Sequence, residues 1–462
     1  MKSHCLTFFL FALGACSTAA TSAPDDDAAN ADALVTGDAA DIAADVSPGE
    51  AIVGGEFYVN VDVVPFGDLL LPFKATFTAT GSIANGGMFT SFELRAVSEK
   101  TDPIYISEPL ATLTNVPIAP GGGFSLLTDT IVLPGKASPT GTDVHIANFE
   151  LKGTLQKDGS FCGDVGGTVI EFIKDIKSST FKAVPWGTQG DAPGSSCAAV
   201  AVKHYAPISI CPTLKAGVNE MPSAERTRKL TIVLPPDATA TNLPVVFLYH
   251  GVADDMGGIL GETSYADNQK TAPFILVVPQ SERDATGKAV SQTDWDYGMH
   301  AFGDDNPDLV FFDDALKCVN QQYKTDAKRV YVTGFSGGGL MTVFTSMARE
   351  KVIAASAPSS GGYLFKFNAT SNKFPALVTW GGGGDSAYGQ NFDLMAKELI
   401  PFLVSDKHYT IQCNHDTGHK WPAAMTAANW AFLSRFTLGE APKPFSDAEI
   451  AAIFPKYCSL AK

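Results

Sequence analysis

An apolar run, Arg329-Val-Tyr-Val-Thr333, passes without a break into Gly334-Phe335-Ser336-Gly337-Gly338-Gly339 and then into a helical pattern over residues 340–350. This strand–turn–helix join constrains the fold more than any other segment. A turn so tight needs strained backbone angles at its centre, and glycines on both sides let neighbouring backbone approach closely. The Ser336 side chain is then held at a strand end beside a helix N-terminus, where free N–H groups favour negative charge. The neighbouring sequence agrees. Pro244-Val-Val-Phe-Leu-Tyr249 and Phe274-Ile-Leu-Val-Val278 are continuous apolar runs, and residues 309–323 carry helical spacing. Buried strands alternating with helices predict a mainly parallel, doubly wound sheet covered on both faces, here over residues 206–462.

A serine hydroxyl is a weak nucleophile until a base takes its proton, so a histidine oriented by a carboxylate is expected further along the chain. After the strand pattern Ala376-Leu-Val-Thr-Trp380 comes Gly381-Gly-Gly-Gly-Asp385, and after Tyr409-Thr-Ile-Gln-Cys413 comes Asn414-His415-Asp416-Thr417-Gly418-His419. Both loops follow the carboxyl ends of strands, where open α/β sheets collect their functional groups. Ser336, Asp385 and His419 are the expected catalytic set, with Asp393 or Asp416 as competing acids and His415 as a competing base. The N–H groups of Gly337 and of Val252, just after His250-Gly251, are the expected oxyanion donors. Trp295, Trp380 and Trp421 are candidate substrate-binding walls, with core packing as the alternative reading of each. Metal ligands and cofactors are not expected.

The run from Arg329 to Met341, the Asp385 loop and Gly418-His419-Lys420-Trp421-Pro422 together resemble the secreted polyhydroxybutyrate depolymerase and feruloyl esterase group of α/β-hydrolases. The resemblance spans residues 206–458 and implies that fold and a Ser-His-Asp triad. It departs at Gly381, where the family carries His, and at Gly337, where Asn or Ser is common. The expected activity is that of a serine carboxylesterase on esters of extracellular polymers: feruloyl or acetyl polysaccharide esters, or a polyhydroxyalkanoate. A serine peptidase and a non-catalytic surface-binding lipoprotein are the alternatives.

Residues 51–182 read differently, as short alternating strands between Gly, Pro, Asn and Asp turns, which predicts an antiparallel sandwich or barrel. This all-β, sandwich-like domain is of unknown role, with a substrate- or surface-binding module and a spacer as the candidates. Residues 183–205 form the expected linker. Ahead of the sheets, Lys2, the apolar run from Leu6 to Ala15 and the small Gly14-Ala15 pair compose a signal peptide over residues 1–15, too short to span a bilayer. Leu13-Gly14-Ala15-Cys16 resembles the lipobox of bacterial lipoproteins, which implies acylation at Cys16 and a membrane anchor at the outer membrane or cell surface. Residues 16–50 form an acidic Ala/Asp-rich tether.

Of eight Cys, removal of Cys5 with the signal and use of Cys16 for lipid leaves six, an even set expected to form three disulfides in an exported chain. Cys162 pairs with Cys197 if bridges stay within domains, and Cys211, Cys318, Cys413 and Cys458 allow three arrangements. The formal charge of −16 does not advertise the basic stripe of a nucleic-acid binder.

Overall fold

The computed structural model describes residues 51–462 apart from 64–68, 101–102, 172–173, 177, 190–193, 198–202, 238, 285, 292–293, 298–304 and 365–368. The expected signal peptide, Cys16 and the tether lie outside the described residues.

Strands of the first half alternate inward and outward side chains. In Gly123–Leu133, for example, Phe124, Leu126, Ile131 and Leu133 are buried. Period-two burial leaves each strand one apolar face. Strands between Gly55 and Pro185 pair only antiparallel, in one 10-stranded sheet. Its main path runs Tyr105–Leu113, Gly86–Ser98, Leu69–Ser82, Gly55–Val63, Ser179–Pro185, Phe161–Val169, Val144–Leu155, Gly123–Leu133.

Of the two expected antiparallel forms, the barrel-like one fits: a single sheet curls around one core, in place of two sheets packed as a sandwich. Phe89, near one end of the path, and Phe124, on its last strand, meet with ring centroids 5.3 Å apart. Phe57, Phe77 and Phe161 fill the space between them. Bulky rings let opposite ends of one sheet share a core at native packing density. The expected boundary at residue 182 also moves, because Ala183 to Pro185 still pair with Val59 to Phe57.

The second half builds a nine-stranded sheet in the order Gly217–Ser223, Arg226–Val233, Ile275–Pro279, Leu243–Tyr249, Thr325–Phe335, Ala355–Ser359, Ala376–Trp380, Thr410–Asn414, Cys458–Leu460. Pairings from Ile275–Pro279 through Thr410–Asn414 are parallel, and those at both edges are antiparallel. The sheet is thus mixed, which corrects the doubly wound expectation at its edges. Ala224 and Glu225, at φ 48° and 60°, make the two-residue turn that folds the first edge into a hairpin. At the other edge Cys458 pairs with Cys413 and is bridged to it.

Alternate side chains of Leu243–Tyr249 feed two cores. Val245, Phe247 and Tyr249 share one with residues of the helices Pro307–Gln322, Gly337–Ala348 and Phe392–Ser405. Val246 and Leu248 share the other with residues of Met256–Thr263 and Ala424–Leu433. Helices on both faces explain why the central strands read as unbroken apolar runs.

Disulfides join Cys162 to Cys197, Cys211 to Cys318 and Cys413 to Cys458. The first is the expected pairing, and the other two select one of the three open arrangements. The set fits an exported chain. Both sheets belong to one compact unit, Pro48–Lys462.

Candidate active site

The strand Thr325–Phe335 delivers Ser336, and the helix Gly337–Ala348 begins at the next residue. Ser336 has φ 58° and ψ −122°, an unfavourable conformation for a residue with a Cβ. Its backbone is held there from both sides: its N–H donates to the Ser359 carbonyl at 3.0 Å, and its carbonyl accepts from the Leu340 N–H at 3.0 Å. The flanking glycines have a steric reason. A Cβ on Gly338 would lie 2.1 Å from the Tyr249 carbonyl oxygen, and one on Gly334 would lie 2.4 Å from the Gly338 carbonyl oxygen.

His419 comes to Ser336 from the loop after Thr410–Asn414, with Nε2 2.9 Å from the serine Oγ. Its Nδ1 is 2.7 Å from Asp385 Oδ1. The second carboxylate oxygen, Oδ2, accepts from the Gly381 N–H at 2.7 Å and from the Ser360 hydroxyl at 2.8 Å. Asp385 is fully buried, so these donors are what its burial requires. A carboxylate only accepts, so His419 carries its proton on Nδ1 and leaves Nε2 free to accept from Ser336. The imidazole lies between two rings, Phe335 and Phe392, each with its centroid 4.8 Å away and tilted by 27° and 19° respectively. An arrangement of this kind can take a hydroxyl proton and return it to a leaving group.

Gly381, which departs from the family pattern, acquires a physical reason here. A Cβ at Gly381 would fall 2.0 Å from the Gly418 carbonyl oxygen, and the Gly418 N–H donates to the Gly381 carbonyl at 2.9 Å. The acid loop and the histidine loop are packed backbone to backbone.

Gly337 and Val252 are also adjacent. A Cβ on Gly337 would lie 3.1 Å from the Val252 nitrogen, and neither N–H donates to a protein acceptor among the described residues. The loop carrying Val252 is held from below. The Ala253 N–H donates to the Asp294 carboxylate, and Arg283 donates to Asp294 at 2.9 Å and to the Asp254 carbonyl at 2.6 Å. His250 joins its Nδ1 to the Gly251 carbonyl at 2.8 Å and accepts the Ser281 N–H on Nε2 at 3.1 Å. Burial pushes the His250 pKa down and keeps its ring neutral. The buried Tyr297 hydroxyl donates to the Gly337 carbonyl at 3.1 Å.

The three tryptophans are core residues. Trp295 has no exposed surface and donates its indole N–H to the His250 carbonyl at 2.9 Å, which places it beneath the Val252 loop. Trp380 and Trp421 are each 6% exposed and donate to Asp393 and Thr426, both at 3.0 Å. Asp393 also pairs with Lys397 at 2.7 Å, and His415 bonds to Thr417. Asp416 sits in a left-handed turn at φ 51°. Sequence reasoning did not find Ser360, Phe335, Phe392 or Tyr297. Only Phe335, inside the Gly334 to Gly338 turn, lay where a local signal pointed.

Comparison with known proteins gives a consistent picture. The family model described as "Putative esterase" matches residues 221–397. A bifunctional acetylxylan esterase/xylanase of Neocallimastix patriciarum is 27% identical over 192 residues, 41% of this chain and 26% of that protein. The chain thus spans about a quarter of that relative's length. An oxidized polyvinyl alcohol hydrolase of Sphingopyxis sp. (strain 113P3) is 23% identical over 304 residues, 51% of this chain and 84% of that protein. Among solved structures, an acetyl xylan esterase from Aspergillus awamori is 15% identical with a TM-score of 0.39, covering 47% of this chain and 99% of that one. The family match and the acetylxylan esterase relative support a hydrolase that acts on esters.

Proposed function

We propose that this chain is a serine carboxylesterase acting on ester groups of an extracellular polymer, with Ser336, His419 and Asp385 as its catalytic triad. The observation that carries the reading is the hydrogen-bonded line from Ser336 Oγ through the His419 ring to Asp385, 2.9 Å and then 2.7 Å. Ser336 Oγ attacks the ester carbonyl while His419 Nε2 takes its proton. The resulting oxyanion is stabilised by the N–H groups of Gly337 and Val252. His419 then gives the proton to the departing alcohol, and an ester is left on Ser336. Water attacks that ester, again with His419 as base, and releases the acid and the free serine. Asp385 holds the imidazole in the required tautomer and stabilises the imidazolium in both halves. Each oxyanion donor supplies roughly 3 kcal/mol in the transition state.

The name of the bifunctional relative points to acetylated polysaccharide as the polymer class. An oxidised vinyl polymer, which the other name points to, carries alcohols and ketones and no ester in its chain, so it stands apart from the ester reading. Feruloyl esters and polyhydroxyalkanoates fit the ester chemistry. An anchor at Cys16 on the outer membrane or cell surface belongs to the same reading and would hold the enzyme beside polymer it cannot import. The experiment is hydrolysis by the mature chain of p-nitrophenyl acetate, methyl ferulate, acetylated xylan and oxidised polyvinyl alcohol, each beside Ser336→Ala. A Ser336-dependent rate on acetylated xylan supports the proposal, and a rate on oxidised polyvinyl alcohol alone would replace ester hydrolysis by cleavage of a ketone-bearing carbon chain. Rates on small esters alone would remove the polymer, and a rate that the variant keeps would remove the triad.

A further inference from the structure

From sequence alone the strand set before the second sheet is a candidate binding module or spacer. Contacts at residues 134–143 argue for a different role. This turn, between the strands Gly123–Leu133 and Val144–Leu155, reaches the hairpin that follows Asp385, whose arms are Ser386–Ala387 and Gln390–Asn391. The Thr140 carbonyl accepts the Asn391 N–H at 2.7 Å, and the Thr142 hydroxyl donates to the Gly389 carbonyl at 3.1 Å. Within the turn, hydroxyls of Ser138, Thr140 and Thr142 are linked at 2.7 and 3.0 Å. Gly141 sits at φ 72° with Asn391 and Leu394 so close that a Cβ would lie 3.3 and 3.2 Å from their side chains.

What the hairpin carries makes these contacts matter. Its tip, Tyr388-Gly389, has φ 48° and 73°, which is costly for a tyrosine and needs an outside hold. The residue after the hairpin is Phe392. Its N–H donates to the Asp385 carbonyl at 2.9 Å, and its ring forms one side of the stack on His419. One short segment, 385–392, therefore holds both the carboxylate that bonds His419 Nδ1 and the ring that sets the plane of the imidazole. The partner holding the outer side of that segment is the N-terminal sheet.

We propose that residues 138–142 of the N-terminal sheet are a positioning element of the active site, holding the 386–391 hairpin so that Phe392 and Asp385 orient His419. The inference rests on the esterase reading for its kinetic consequence, though the geometry of His419 can be followed without turnover. Displacing a catalytic base by even 1 Å can cost on the order of 100-fold in rate. A gentler push through this relay is expected to cost about tenfold.

The test uses the mature chain with Gly141→Ala, Thr142→Val and Phe392→Leu, each beside wild type. Two readouts are taken: kcat and KM for p-nitrophenyl acetate, and the low-field proton NMR signal of the His419 Nδ1–H, assigned by its loss in His419→Gln. Gly141→Ala and Phe392→Leu should lower kcat by about tenfold with KM within about twofold, and should shift or broaden the His419 signal. Thr142→Val, which removes one hydroxyl and adds no bulk, should move both readouts in the same direction by less.

A purely structural role would lower the melting temperature and leave both kcat per folded molecule and the His419 signal at wild-type values, which overturns the proposal. If Gly141→Ala does not fold, Thr142→Val and Phe392→Leu decide it on the same two readouts. If wild type shows no Ser336-dependent hydrolysis, the esterase reading fails, and the NMR signal alone then decides whether the N-terminal sheet orients His419.

Discussion

Asp385→Asn probes the site with almost no change of shape. The carboxylate accepts on both oxygens: Oδ1 from His419 Nδ1 at 2.7 Å, and Oδ2 from the Gly381 N–H at 2.7 Å and the Ser360 hydroxyl at 2.8 Å. An asparagine offers one acceptor oxygen and one donating NH2. The Gly381 N–H is backbone and cannot turn away, so the amide oxygen takes the Oδ2 position and the NH2 faces His419. The imidazole must then accept at Nδ1 and carry its proton on Nε2, directed at the Ser336 hydroxyl it should deprotonate. The same tautomer fault in a well-studied serine protease costs about 10⁴ in kcat. At 1.36 kcal/mol per tenfold, that is about 5.4 kcal/mol of lost transition-state stabilisation. The assay is steady-state hydrolysis of p-nitrophenyl acetate, with melting temperature to show that the variant is folded. KM should stay within about threefold, because substrate binding does not involve the buried acid. A folded Asp385→Asn enzyme with kcat within tenfold of wild type would refute the argument.

Other expectations follow from the same structure. Gly338→Ala puts a Cβ 2.1 Å from the Tyr249 carbonyl oxygen, so the turn must shift; kcat should fall by on the order of 100-fold, and the melting temperature should drop as well. His250 and His408 are fully buried in side chain or nearly so, and burial pushes both pKa values below the ordinary value. The unfolded chain binds protons that the folded chain refuses. Stability is therefore complete above about pH 6.5 and is lost as pH falls below it, by up to about 1.4 kcal/mol per pH unit for each histidine; denaturant titrations from pH 7.5 to 5 measure this, and a flat profile would contradict it. Opening the Cys413–Cys458 bridge, which closes a sequence separation of 45, with Cys413→Ser and Cys458→Ser should cost about 4 kcal/mol by loop entropy, read as the change in denaturation midpoint.

The legible parts of the molecule were those with short-range causes. The Gly334 to Gly338 turn could be read because its strain and close approach are written in adjacent residues. Asp385 and His419 could be singled out because each lies on a loop after the carboxyl end of a strand, and the structure bonds Asp385 to His419 and His419 to Ser336. What escaped depends on contacts far apart in sequence. Phe392 looks like any first-turn helix residue until the fold lays it on His419, and Ser360 like any loop serine until its hydroxyl meets Asp385. The antiparallel edge of the second sheet was missed because Gly217–Ser223 and Arg226–Val233 alternate buried and exposed residues and do not stand out as the unbroken apolar runs of the central strands do. The N-terminal strands showed their alternation but not their closure, since Phe89 and Phe124 come together only when the sheet curls. Tryptophans near the site drew attention as binding surfaces, yet large aromatic residues gain most by full burial, which is where Trp295 lies.

The central claim is that Ser336 is activated by His419. Titration of the mature chain with a fluorophosphonate, followed by mass mapping of the labelled peptide, tests it most directly. The account predicts stoichiometric labelling at one residue, Ser336, none in Ser336→Ala and a strongly slowed reaction in His419→Ala. No labelling of the folded wild-type chain, or labelling at a different residue, would contradict it.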